Sequence, residues 1–319
     1  MLTASLALAV LALALAWPVP LALGRASWPA RSPATALILW QAIALSGGLA
    51  MLGALLTFGL APFGTDLLSA LIGFASGTIV AETWHLLALG AALLFGVHLV
   101  LNLVVTVIRA EAQRRSHAQL VQLLSSPMAD DPSARLLDTP APVAYCIPGA
   151  LSSVTVFSAG LVDLLEPAEL RAVIEHEKAH VAQRHDIVLV VFRAWHSSLP
   201  WFPIAYRAQR EVGLLIEMLA DDRARRSVDD GVLARAIALV GSGSSSGGVS
   251  GGVSGGGDVS LAIPAESSSP QDVRSRVLRI ARATPLPTPL EALIVGASGA
   301  LIAVPTVLLL GPAVVGLVQ

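Results

Sequence analysis

Four runs of apolar residues, each long enough to cross a hydrocarbon layer as a helix, constrain this 319-residue chain more than any other feature. They cover roughly Leu2 to Leu23, Ala34 to Leu60, Trp84 to Ile108 and Ala292 to Val318. A helix that spans a bilayer needs about 20 predominantly apolar residues, and each run meets that length. With 55% hydrophobic and only 13% charged residues, and a mean hydropathy of +0.73, the chain is too apolar for an ordinary soluble globule. The stretch from Leu67 to Val80 is also apolar, but it is shorter, contains Gly73 and Gly77 and follows Asp66. A loop or re-entrant piece is expected there, not a fifth span.

The first run has no basic residue ahead of it and no small-residue cleavage site before Arg25, so a retained helix is expected, not a removed signal. Basic residues accumulate on the cytoplasmic side of membrane proteins. Here they stand at Arg25 and Arg31, between the first two runs, and at Arg109, Arg114 and Arg115 after the third. The loop between the second and third runs carries only Asp66 and Glu82. The expected layout is therefore a multi-pass protein of the cell membrane with its N-terminus outside. Residues 1–108 form three spans, 109–287 a cytoplasmic domain and 288–319 a fourth span. The formal net charge of -2 gives no field that would favour direct contact with nucleic acid. The single cysteine, Cys146, has no partner for an internal disulfide and reads as a small core residue in a strand.

Within the cytoplasmic segment, Ala141 to Ile147 and Ser153 to Phe157 read as short strands joined through the turn pair Pro148-Gly149. A helix is expected from about Pro167 through a histidine motif, and another from Arg207 to Arg226. Residues 241–257 are almost only Gly and Ser and read as a flexible tether. Arg274, Arg276, Arg279 and Arg282 then form a basic helix leading to the last span, as expected beside anionic lipid.

The motif is His176-Glu177-Lys178-Ala179-His180. Residues four apart share one helix face, so both imidazoles can reach a single ion with Glu177 beside them. Leu170, Val173, Ile174 and Val181 supply an apolar stripe that packs this helix. A hydrolytic zinc takes three protein ligands and keeps one position for water. The third ligand is expected to be Glu217, and Asp221, one helical turn on, is expected to orient a metal-bound histidine. The plain alternatives are an exposed helix acid for Glu217 and a surface salt bridge for Asp221. Glu177 is the expected acid-base in peptide hydrolysis. Tyr206, Arg207, His185 and Arg223 remain open as oxyanion donors, and His185 reads equally as solvated or as a support to the ligands.

These residues resemble the BlaR/MecR family of integral-membrane zinc peptidases over nearly the whole chain. The shared motifs are AYCIPG at Ala144 to Gly149, the histidine motif followed by Arg184-His185-Asp186, the aromatic segment Trp201-Phe202-Pro203, and EMLADDRA at Glu217 to Ala224. The resemblance implies zinc on His176, His180 and Glu217, catalysis by Glu177, and a protein substrate such as a transcriptional repressor. It also implies a cleft bordered by the strand at Ser153 to Phe157, which would pair with an extended substrate, and an interfacial hairpin over Ile187 to Tyr206 carrying Trp195, Trp201 and Phe202. The antibiotic-sensing members carry a large extracellular domain after the fourth span. This sequence ends at Gln319, so penicillin sensing is not expected.

The expected fold class is an α-helical membrane protein of about four transmembrane helices with a cytoplasmic α+β, zincin-like (gluzincin) metalloprotease domain. Two other readings stay open. One is a membrane quality-control peptidase resembling the HtpX/Ste24 group. The other is a receptor or scaffold with a structural zinc, closed by Asp221 or His185 as a fourth ligand.

Overall fold

The computed structural model describes residues 1–77, 79–127, 134–147, 154–200, 203–246, 269–282 and 284–318. They group into two units, one of Met1–Thr106, Val191–Val212 and Pro285–Gln319, the other of Val107–Val190 and Gly213–Thr284.

The first unit is built from apolar helices. Four segments are long and apolar enough to cross a membrane: Leu2–Arg25, Pro33–Leu60, Thr83–Leu124 and Thr288–Gly311. The first expected helix comes in two pieces, α1 (Leu2–Ala16) and α2 (Pro18–Arg25). Pro18 steers Trp17 out of the helical region, to φ -131°, and Pro20 offers no N–H to continue the ladder. Helix α3 (Pro33–Leu60) runs antiparallel to α1, with Ser5 Oγ donating to Ala54 O at 2.9 Å near one end and Leu15 beside Gly47 near the other. Small residues let the backbones approach, and hydroxyls donate either across to a neighbouring helix, as Ser5 does, or back to their own, as Thr57 does to Gly53 O at 2.7 Å.

Helix α4 (Leu67–Ser76) occupies the stretch where a loop or re-entrant piece was expected. Asp66 caps it by accepting from the amides of Leu68 and Ser69, and Gly77 ends it at φ 65°, a left-handed conformation that glycine adopts without penalty. Its 10 residues are too few to span. Helix α5 (Thr83–Leu124) continues past the apolar run, because Ala, Glu, Gln and Arg after Ile108 are good helix formers and Glu111 pairs with Arg114 and Arg115 at 2.7 Å each.

Helix α12 (Thr288–Val318) runs parallel to α3: Ser46 Oγ donates to Leu301 O at 2.6 Å, and Gly53 sits against Leu309. The starts of the two helices meet, with Ser32 Oγ donating to Glu291 Oε1 at 2.6 Å and Arg31 Nη2 to Pro285 O at 3.3 Å. The expected interfacial hairpin is a helix pair, and from Val191 to Val212 it groups with these apolar helices. Asn102 Nδ2 donates to Ala194 O at 2.7 Å and to Ser197 Oγ at 2.8 Å, while Phe192 is buried. These contacts join the stretch to α5. Trp201 and Phe202 lie outside the described residues.

The second unit combines a sheet with helices. Strands β1 (Ser125–Pro127), β2 (Ala134–Leu137), β3 (Ala144–Ile147) and β4 (Val154–Ser158) are ordered β1-β2-β4-β3. The first two were not legible in the sequence. The position of β4 corrects an expectation: it pairs with β2 in parallel and with β3 antiparallel, so both its edges are taken and it cannot receive a substrate strand. Among the described residues the open positions belong to β1 and β3. The Pro148-Gly149 turn lies outside the described residues, as does the side chain of Cys146.

Phe157, Leu161 and Leu165, from β4 and from α6 (Ala159–Leu164) with its flank, form a buried cluster under Leu170, Val173 and Ile174. Those three belong to α7 (Pro167–Ala182) and are three of the four residues of the stripe read from the sequence, Val181 not being part of this cluster. A second cluster joins α7 through Ala172, the end of α9 (Pro203–Ala224) through Ala224, α10 (Asp230–Ser246) through Leu233, Ala236 and Ile237, and α11 (Pro270–Arg282) through Ile280. Burying each large aliphatic side chain in such a cluster contributes about 1.5–3 kcal/mol.

The Gly/Ser segment expected as a tether begins as helix, since α10 runs to Ser246. Gly241 is the reason at its first position. A Cβ there would stand 2.8 Å from Val273 Cγ2, so glycine serves the close approach of α10 and α11. Residues 247–257 of that segment lie outside the described residues.

Candidate metal centre

Helix α7 opens with Pro167 at its first position, and the Glu166 amide donates to Glu169 Oε2 at 2.9 Å. Its buried face carries Glu169, Ala172, His176 and Ala179, spaced three and four residues apart. Glu169 is 3% exposed and is neutralised by Arg235 Nε of α10 at 3.0 Å. The alanines allow close packing, which sinks the His176 ring to 8% exposure and turns His180, one turn on, to the same face.

Three donors converge beside this helix. His176 Nε2 and His180 Nε2 are 3.1 Å apart, Glu217 Oε2 lies 3.3 Å from the former, and Glu217 Oε1 lies 3.5 Å from the latter. Around a tetrahedral zinc with bonds of about 2.0–2.1 Å, neighbouring donors stand about 3.4 Å apart. The two imidazole nitrogens stand at about that spacing from each other and each from one oxygen of the Glu217 carboxylate, and two imidazoles and one carboxylate are donor types that zinc takes. The residues present therefore fit the ion.

Each histidine has a partner behind it. Asp221, fully buried one turn after Glu217, brings Oδ1 to 2.9 Å from His176 Nδ1, although the ring N–H is not aligned along that contact. His185, 4% exposed, brings its Nδ1 to 3.0 Å from His180 Nδ1. The turn that allows this passes through Arg184, whose φ of 51° reverses the chain as α7 gives way to α8 (His185–Ser198). Of the candidate oxyanion donors, Tyr206 is exposed with its ring near His196, and Arg223 is exposed. Arg207 is exposed too and, like Tyr206, belongs to the first unit.

The residue that sequence reasoning placed at the lipid surface is Arg276, and the structure corrects this. Arg276 is 6% exposed. Its Nε and Nη2 grip Asp221 Oδ2 and Oδ1 at 2.8 and 2.7 Å, and its Nη1 reaches Glu217 Oε2 at 2.8 Å. Arg279 likewise forks onto Asp222 at 2.8 and 2.7 Å. Two of the four arginines on α11 therefore neutralise the acidic run of α9. The signal was present in the spacing: Arg276 falls within the apolar stripe Val273, Val277 and Ile280, which packs α11 on the core.

The charges follow from this enclosure. Burial disfavours protonated His176, but the carboxylates of Asp221 and Glu217 more than offset it and raise its pKa to about 10. Burial and then the His176 charge push His180 down to about 3. The metal-free pair thus shares one proton, held on His176 and donated to neutral His180, which a cation would displace. Burial raises Glu177 to about 7, with the Glu217 charge adding to the rise and His176 opposing it. Burial would raise Glu217 and Asp221 as well. The contact with His176 and the Arg276 charge hold Glu217 far below the carboxylate range, and Arg276 holds Asp221 at about 2.

Both residues considered as a fourth protein ligand are turned to other partners. The Asp221 oxygens face Arg276 and His176 Nδ1, and His185 faces the back of His180.

A buried helix with two imidazoles at i and i+4 and a carboxylate from a second helix is the kind of site a metallopeptidase uses. Residues 109–213 match the model for Peptidase family M48, and the matched stretch contains the whole of α7. The matched range stops four residues short of Glu217 (217 minus 213). No curated protein and no solved structure matches the chain.

Proposed function

We propose that this protein is a multi-pass membrane zinc metalloendopeptidase that cuts a cytoplasmic or membrane-proximal protein substrate. The observation that carries the proposal is the donor triangle of His176, His180 and Glu217, spaced for a tetrahedral ion and lying in and next to the peptidase M48 match. When bound, zinc acidifies a water and polarises the scissile carbonyl. Glu177 takes the proton from the attacking water and returns it to the leaving amine, a task suited to a group raised to about 7. Asp221 and His185 orient the two histidines from behind. A substrate that adds to the sheet would lie along β3, the strand of the β3-β4 pair with a free edge among the described residues.

The catalytic reading is favoured over a structural zinc because a structural site is closed by four protein ligands, and both candidates for the fourth are engaged elsewhere. The motifs shared with the BlaR/MecR family support a repressor-like substrate, and the basic residues at Arg25, Arg31, Arg109, Arg114 and Arg115 support a cytoplasmic peptidase unit with the N-terminus outside.

The test uses the full chain in detergent, reconstituted with one equivalent of zinc and incubated with unfolded protein substrates and fluorogenic peptides. Wild type is expected to cleave, and Glu177→Gln to lose at least a hundredfold while keeping its zinc. Cleavage that persists in Glu177→Gln would overturn the mechanism. Retained zinc with no cleavage of any substrate would favour the scaffold.

A further inference from the structure

We infer that Arg276 is a positioning residue for the metal site: a single guanidinium from α11 fixes two of the three proposed zinc ligands, Glu217 directly and His176 through Asp221. The inference rests on the zinc reading of the site and goes beyond it, because Arg276 belongs to neither ligand helix and lies outside the peptidase match.

The geometry is that of a bridge. Nη1 holds Glu217 Oε2 at 2.8 Å, while Nε and Nη2 hold both oxygens of Asp221 at 2.8 and 2.7 Å. Only a planar fork with several fixed donors can span two carboxylates in this way, and lysine, a point charge on a flexible stem, cannot. Asp221 in turn stands 2.9 Å from His176 Nδ1, and Arg276 Nη2 itself lies 3.4 Å from His176 Nε2, so the guanidinium and the carboxylate it grips both abut the His176 ring.

Glu217 and Asp221 lie one turn apart on α9, and Asp221 is fully buried. Arg276 touches both carboxylates at once, so it holds the Glu217 oxygen and the supporting Asp221 in fixed positions relative to each other. The neighbouring pair of Arg279 with Asp222 has the same fork geometry but touches neither ligand. It supplies an internal control.

The experiment strips the full chain in detergent with a chelator, then titrates it with zinc against a chromophoric competitor and with cobalt(II), whose visible absorption reports ligand geometry. Wild type, Arg276→Met, Arg276→Lys and Arg279→Met are compared. Arg276→Met is expected to bind zinc about 10–100-fold more weakly and to show an altered cobalt spectrum. Arg276→Lys should recover only part of the affinity. Arg279→Met should bind within about twofold of wild type, with an unchanged spectrum. If wild type fails to bind one zinc per chain, the zinc reading itself falls. If wild type binds and Arg276→Met or Arg276→Lys binds equally well with the same spectrum, the positioning role is overturned while the zinc reading stands. Equal weakening in Arg276→Met and Arg279→Met would also overturn it, since the effect would then belong to the docking of α11. Should Arg276→Met fail to fold, Arg276→Lys decides the matter alone by the same criteria.

Discussion

His185 Nδ1 stands 3.0 Å from His180 Nδ1, and two such nitrogens can approach this closely only by sharing one proton. With His180 Nε2 committed to the donor triangle, its Nδ1 carries the hydrogen and His185 must accept it, as a neutral ring protonated at Nε2. Burial favours that neutral form by lowering the His185 pKa. Replacing His185 by Ala is expected to weaken zinc binding about tenfold, and His185→Asn, which keeps an acceptor, by less. Competition titration with a chelator checks both. Equal loss in the two variants would show that the acceptor is immaterial.

Stability of the metal-free protein should depend on Asp221 with a definite sign. Its folded pKa of about 2 lies below its ordinary 3.8, so its contribution is complete above about pH 4 and is lost as the pH falls toward 2. The titrating part is on the order of 2 kcal/mol. The difference in melting temperature between chelated wild type and Asp221→Asn should therefore be widest near neutrality and shrink below pH 4. A difference that stays constant from pH 7 to pH 3 would contradict the assignment of that charge to the fold.

Arg184 occupies a left-handed conformation in which a β-carbon is strained. Arg184→Gly should leave the turn between α7 and α8 intact and stabilise the protein by about 0.5–1 kcal/mol. Arg184→Val should destabilise it and, by displacing His185, also lower zinc affinity. Thermal melts and zinc titrations of the two variants provide the comparison.

Gly241 sets the distance between α10 and α11. A methyl group there would meet Val273 at 2.8 Å, closer than side chains tolerate. Gly241→Val is expected to destabilise by about 1–3 kcal/mol through overpacking, and a shortened partner, Val273→Ala, should restore part of the loss. Because Arg276 follows Val273 by one turn on α11, the zinc titration should move with the stability. A Gly241→Val variant with wild-type stability and affinity would show that α10 and α11 are not in close contact.

The parts legible in the sequence are those set by local rules. The spacing of His176 and His180, the stripe of Leu170, Val173 and Ile174, and the one-turn relation of Glu217 to Asp221 all follow from helical periodicity, and the structure has these side chains together. The apolar runs were legible by length alone. What escaped depends on contacts between distant segments. Arg276 and Arg279 look like surface charges because their partners, Asp221 and Asp222, lie more than 50 residues earlier. Strand β4 looked like an edge because β2, which covers its far side, is only four residues long and leaves no alternating pattern to read. The break at Trp17 was open to prediction, since Pro18 and Pro20 announce it, but continuous hydrophobicity outweighed them.

The meeting of Ser32 with Glu291 makes sidedness a single unknown for two connectors. Since α3 and α12 start together and run the same way, any bilayer laid across them leaves residues 26–32 and 285–287 facing the same compartment. A cysteine installed in either connector would then be reached by an impermeant maleimide from one face of a vesicle only, and the same face for both. One accessibility measurement on either connector thus fixes the orientation of α3 and α12 alike.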